Sequence, residues 1–196
     1  MQQIVLVAGH AGSGKTEFSK QLAVKTSWPL LDKDTVTRPL VEYLAHHLCG
    51  DPHDRQSPAY LKQIRPLEYD SLLAVMWEML ESGSQGVVVT APFVAELTNP
   101  QWVDDFVLDC DARGCKLLIV WVHCDPATLK ERIVARGAER DRWKLANWPR
   151  WIDNIGTPEL DKKTTHLVVD NTAESAESAE SMLDSINVAL TLIGTE

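Results

Sequence analysis

No stretch of this 196-residue chain approaches the roughly 20 consecutive apolar residues of a membrane-spanning helix. The start, MQQIVLVAGHAGSGK, has no basic leader segment and reaches a polar loop within ten residues, so a cytoplasmic, non-membrane protein is expected. Cysteine is scarce. Cys49, Cys110, Cys115 and Cys124 form no C-x-x-C pair and no Cys/His spacing of a zinc site, so reduced structural thiols are expected. Positive charge is in deficit, with 19 Lys and Arg against 28 Asp and Glu and a net charge of -9, which argues against a general nucleic-acid binder. The remainder, 44% hydrophobic and 24% charged, suits a single domain over 1–196 whose core needs no staples.

The charge is unevenly spread. Between Leu129 and Trp151 there are seven Lys or Arg against three acids, so that segment is +4 and the rest of the chain -13. Such a concentration fits a small polyanion, a nucleotide triphosphate for instance; a solvated helix face is the alternative.

Apolar runs bounded by turn residues recur at Ile4–Ala8, Leu30–Leu31, Val87–Thr90, Leu117–His123 and His166–Val169, with helix-length stretches between them. They are continuous and rich in Val and Ile where a half-exposed antiparallel strand would alternate. A three-layer α/β domain with a parallel sheet covered on both faces is therefore predicted. Asp125-Pro126 reads as an N-cap with proline in the first turn, and Asn171-Thr172 precedes the last helix. There the repetitive segment 173–181 is read as an acidic start to an amphipathic helix whose apolar stripe is Leu183, Ile186, Leu190 and Ile193. Gly50–Pro58 is the clearest loop and a candidate part of an acceptor site within a helical region of about 35–82.

One motif carries specific chemistry. Gly9-His10-Ala11-Gly12-Ser13-Gly14-Lys15-Thr16 satisfies G-x-x-x-x-G-K-[ST] directly after an apolar strand and before a helical stretch. Glycines let backbone N–H groups turn inward around a phosphate at a helix N-terminus, where the helix dipole also favours an anion. Lys15 is then placed for the β and γ phosphates and the Thr16 hydroxyl for Mg²⁺. No N-K-x-D guanine signature is present, which argues against a GTPase and favours ATP. Val87–Thr90 ends in threonine where many ATPases carry a Walker-B acid, and Asp125 is the only nearby substitute.

Asp32 and Asp34 flank Lys33 immediately after the short second strand, at the sheet edge where ligands bind in doubly wound folds. Phosphoryl transfer to an alcohol needs a carboxylate for the hydroxyl proton and oxygen ligands for Mg²⁺, and a D-x-D pair can divide those roles. Asp32 is assigned to base or metal, Asp34 to the acceptor, with a helix starting near Thr35 and Asp34 the more natural candidate for its cap. Arg132 and Arg136 lie one helical turn apart, and Arg140 follows Gly137, so 137–151 reads as an arginine-rich lid over triphosphate. Arg38, Arg55 and Arg65 are divided evenly between holding an anionic acceptor and surface ion pairing. Trp143, Trp148 and Trp151 are assigned to core packing in preference to stacking on a ring.

These residues resemble the small P-loop phosphotransferases, the group of shikimate kinase, gluconate kinase, chloramphenicol phosphotransferase and the kinase domain of polynucleotide kinase. The likeness is specific at Gly9–Thr16 and good at Asp32-Lys33-Asp34 and at Arg132, Arg136 and Arg140. It implies a five-stranded sheet in the order 2-3-1-4-5 with a lid after the fourth strand, ATP and Mg²⁺ as cofactors, a small hydroxyl acceptor, and arginines that clamp the triphosphate. Two positions depart from the pattern: Thr90-Ala-Pro-Phe93 stands where shikimate kinases show a Gly-Gly pair, and Lys33 where the group usually has a small residue. A nucleotide or polynucleotide kinase, and a regulatory protein that hydrolyses ATP slowly, remain as alternatives.

Overall fold

A computed structural model describes residues 1–160, 164–173 and 178–194. Each of the five apolar runs is a strand: β1 (Gln2–Ala8), β2 (Leu30–Asp32), β3 (Gly86–Thr90), β4 (Cys115–His123) and β5 (His166–Asp170). All pair in parallel in the order β2-β3-β1-β4-β5, as the resemblance implies. The register sets Asp32 beside Thr90, Thr90 beside Val7, and Ala8 beside Trp121. The carboxyl ends of β2, β3 and β1 are thereby level to within a residue, β4 runs two residues further to His123, and the loops leaving them share one edge.

Period-two alternation explains the two cores. On one face Ile4, Leu6 and Ala8 of β1 meet helix α3 (Arg65–Glu81) through Leu72, Met76 and Leu80, together with α4 (Val94–Leu97) and α5 (Pro100–Ala112). On the other, Val5 and Val7 meet Phe18 and Leu22 of α1 (Lys15–Thr26) and the inner stripe of α9 (Ser178–Ile193). That stripe is Met182, Ile186, Ala189 and Ile193, so the expected phase is shifted: Leu183 is 45% exposed. At about 100° per residue Met182, Ile186, Ala189 and Ile193 fall within roughly 60° of one another, whereas Leu183 lies roughly 90° from their centre and faces outward. The expected acidic start of this helix falls partly on 174–177, outside the described residues.

Helix α2 (Lys33–Cys49) and a π-helical turn (Tyr60–Ile64) flank the Gly50–Pro58 loop and bury a small separate cluster of Val41, Ala45, Tyr60 and Ile64. After β4, helix α6 (Pro126–Arg136) leads to a 3₁₀ turn (Glu139–Asp141) and the short helices α7 (Arg142–Ala146) and α8 (Trp148–Asn154). Asp125 caps α6 as expected, its Oδ1 accepting from Ala127 N at 2.8 Å and Thr128 N at 3.1 Å. The four cysteines are free thiols. Among the described residues no helix is long and apolar enough to cross a membrane.

Candidate active site

The loop from Gly9 to Gly14 leaves β1 at Ala8 and enters α1 at Lys15, so the whole motif sits at the shared sheet edge. Gly14 adopts φ 93°, and a Cβ there would lie 2.1 Å from Asn171 Nδ2, so backbone freedom and space both demand glycine. The loop is braced from outside: Ser13 O accepts from Asn171 Nδ2 at 2.8 Å and from Arg132 Nη1 at 3.5 Å. Gly9 N donates to Pro92 O at 3.2 Å, tying the loop to the segment after β3. Ser13 Oγ is buried with no protein partner among the described residues, a spare donor inside the cradle. Lys15 Nζ donates to His10 O at 3.2 Å, and burial together with Arg136 lowers its pKa to about 8. An anion beside it would reverse that shift.

Asp32, and not Asp34, caps α2. Its Oδ1 accepts from Thr35 N at 3.2 Å, and its Oδ2 accepts from the Thr16 hydroxyl at 3.3 Å. The correction has a local cause: Asp32 ends β2 in extended backbone, so the chain turns into a helix at Lys33, two residues earlier than expected. Capping and a metal-side role use different oxygens and coexist. Asp34 lies in the first turn with Lys33 Nζ at 3.2 Å, Arg140 Nη2 at 3.0 Å and Arg38 Nη2 at 3.9 Å. Burial raises the Asp34 pKa, but Lys33 and Arg140 outweigh it and hold the carboxyl at about 2. Lys33 is itself buried and bonded to Glu68, whose other oxygen accepts from Tyr60 Oη.

The chain leaves α6 through Gly137 in the left-handed region, and the 3₁₀ turn, α7 and α8 follow where a lid is expected. Arg136 Nε reaches Asp141 Oδ2 at 3.1 Å, while Arg142 Nη2 reaches Asp51 Oδ2 in the Gly50–Pro58 loop at 3.1 Å. Arg132 and Arg136 therefore part company, the former bracing the phosphate loop and the latter bound within the lid. The expectation that the three tryptophans join the core is corrected: no residue of α7 or α8 is buried, and Trp143 and Trp151 line the cleft. These helices are too short to reach the sheet with an apolar face. His10 stands between Trp121 and Trp151, ring centroids 5.1 and 6.4 Å away. Burial and then Lys15 lower its pKa to about 4, so the ring is neutral at physiological pH.

The arginines assigned to an acceptor separate in the structure. Arg65 is engaged twice by Glu96, both contacts at 2.8 Å, and covers the Tyr69 ring at 4.3 Å, an ion pair at the wall of the cleft. Arg38 is 46% exposed, reaches Asp34 at 3.9 Å and also lines the cleft. Arg55 donates to the Pro52 and Asp54 carbonyls and keeps no acid partner among the described residues. Thr90 donates to Val7 O at 3.2 Å, so the position of a Walker-B acid is spent on tying strands. Lys15, Thr16, Asp32, Asp34, Arg136 and Arg140 all line one cleft of about 1240 Å³. Typical ligand pockets are roughly 300–1,000 Å³, so this cleft is larger than the range for a single small ligand. Lys33, Lys144 and Trp151 also line it, and of these Lys144 alone was not singled out by the sequence.

Among curated proteins none matches the sequence. Solved structures align along nearly the whole chain. A gluconokinase from Sinorhizobium meliloti 1021 aligns with TM-score 0.56 at 16% identity, covering 100% of this chain and 97% of the other. A sugar kinase from Janibacter sp. HTCC2649 aligns with TM-score 0.58 at 16% identity, covering 97% and 93%. Shikimate kinase from Bacteroides thetaiotaomicron gives 0.51 at 17% identity, covering 98% of each. At such identities the likeness establishes the P-loop kinase fold alone. Residues 4–158 match the AAA_33 family, described as an AAA domain, a span that takes in the phosphate loop, both aspartates and the lid. The chain belongs to the AAA_33 family and carries its P-loop nucleotide-binding domain on a kinase-type fold.

Proposed function

We propose that the protein transfers the γ-phosphoryl group of ATP to a hydroxyl of a small molecule. The observation that carries this reading is the convergence on one cleft of a phosphate loop, two carboxylates and a cationic lid, with space beside them for an acceptor. Lys15 neutralises the β and γ phosphates, and Arg136 and Arg140 oppose the charge that spreads over the transferred group. A bond forms from the acceptor oxygen to Pγ as the bond from Pγ to the bridging oxygen breaks, its electron pair leaving with ADP. The acceptor proton passes to an aspartate or to water. Asp34 is ionised throughout the physiological range and orients the hydroxyl as a hydrogen-bond acceptor; Asp32 is the better placed base or metal-side group.

The residues present fit Mg²⁺. A hydroxyl and a carboxylate, Thr16 and Asp32, meet at the foot of the phosphate loop, and Mg²⁺ typically takes one or two protein oxygens with phosphates and waters completing the shell. When bound, the ion supplies charge neutralisation to the phosphates.

Trp143 and Trp151, turned to the cleft instead of the core, favour within this reading an acceptor that carries a ring, a nucleoside included. The test is ATP consumption with Mg²⁺ against pooled sugars, polyols, nucleosides, oligonucleotides and hydroxylated antibiotics, with mass spectrometry for the phosphorylated product. A phosphorylated pool member lost in Lys15→Ala supports the reading; ADP formation that no acceptor stimulates favours a slow ATPase.

A further inference from the structure

One partly buried cation in the cleft has no part in the chemistry above. Lys144, in α7, has a side chain 16% exposed, and its Nζ lies 2.7 Å from Asp141 Oδ1. Asp141 is fully buried, and its other oxygen is already taken by Arg136 through both Nε and Nη2. That contact occupies Oδ2 alone, and Lys144 meets the remaining buried oxygen, so one carboxylate is shared by two cations that both line the cleft. Lys144 adds a second cation to the same carboxylate. It also lines the cleft with Lys15, Arg136 and Arg140, and the Trp151 ring lies 5.9 Å from its ammonium.

These four cations form one electrostatic cluster. Burial lowers the Lys144 pKa against the pull of Asp141, and Arg136 and Arg140 lower it further. The carboxylates that face the cluster are Asp141, Asp34 and Asp32, three against four. Holding like charges together away from water is unfavourable unless an anion joins them. Lys144 and Lys15 approach the cleft from different elements, the lid and the phosphate loop, so the anion belongs between them.

We propose that Lys144 is a catalytic residue whose ammonium contacts the equatorial oxygens of the phosphoryl group in transit, opposite Lys15. Asp141 is a positioning residue, acting through Lys144 and Arg136. The inference rests on the phosphotransfer reading and deepens it by naming a second ammonium at the transferred group. Lys144 neither takes nor gives a proton; it follows the negative charge as the bond to the acceptor oxygen forms and the bond to ADP breaks.

The test needs no acceptor. Calorimetry compares MgADP with MgADP plus aluminium fluoride, a mimic of the phosphoryl group in flight, in wild type, Lys144→Met, Lys144→Arg, Asp141→Asn and the exposed control Lys130→Met. Lys144→Met should bind MgADP within about two-fold of wild type yet lose about 10²-fold in affinity for the fluoride complex, the usual scale for one preorganised donor. Arginine should restore most of that loss, Asp141→Asn should fall between, and Lys130→Met should match wild type. Unchanged fluoride affinity in Lys144→Met overturns the assignment. Equal loss of MgADP and fluoride binding, with a lowered Tm, also overturns it by showing a structural role. A wild type that binds MgADP without gain from fluoride overturns Lys144 alone, whereas failure to bind MgADP overturns the phosphotransfer reading as well.

Discussion

Arg140 Nη2 stands 3.0 Å from Asp34 Oδ2, joining the lid to the carboxyl edge of the sheet. The pair is partly exposed, so its own contribution to stability is small, and its use lies in aiming the guanidinium at the cleft. Arg140→Ala should therefore lower turnover by about 10²-fold while changing ATP affinity by only a few-fold. Equal losses in kcat and in ATP binding would sink the lid assignment; steady-state kinetics beside calorimetry decides.

Lys15 gives a pH signature. Its pKa is about 8 against an ordinary 10.5, so between those values the unfolded chain holds more protons than the folded one. Stability should rise with pH across that window, and Lys15→Met should flatten the rise. Binding of triphosphate raises the pKa again, so at pH 8 it should draw in about half a proton. Calorimetry in buffers of different ionisation enthalpy measures that uptake, and proton release would contradict the geometry.

The two functions of Asp32 are separable by substitution. Asn caps a helix as well as Asp does, so Asp32→Asn should keep stability within a few tenths of a kcal/mol, while Asp32→Ala should cost about 1 kcal/mol. Both should lose activity, because neither offers Thr16 and Mg²⁺ a charged oxygen. Denaturant unfolding of the pair, read against their turnover, checks this.

Arg65→Ala should cost about 3–5 kcal/mol, because Glu96 would be left nearly buried and unpaired. Arg65→Ala with Glu96→Ala should recover a large part of that loss. A stable single variant would return Arg65 to the acceptor site.

The phosphate loop, the five strands and the end of α6 were legible because each is written in contiguous residues: a spacing of glycines, a run of Val and Ile, a helix ending at Gly137. The pairing of Arg65 with Glu96 was not, since the two are 31 residues apart and meet only once α3 and α4 pack on the same face of the sheet. The tryptophans were misassigned for a related reason: composition says they prefer burial, but α7 and α8 offer no core to enter. Which aspartate caps α2 turned on two residues of strand length, and the inward stripe of α9 on one residue of phase. Lys144 carries no motif at all. Its meaning comes from Asp141, which Arg136 also uses.

The cluster of Val41, Ala45, Tyr60 and Ile64 stands apart from the two cores that sandwich the sheet. A unit with its own small interior can open and close without unfolding its neighbours, and hydrogen exchange should reveal α2 and the π-helical turn as a lower-stability cooperative unit. Under the proposed phosphotransfer, the same separation would make that unit a replaceable part: substitutions there would alter which hydroxyl is chosen without unsettling the sheet that carries the phosphate loop.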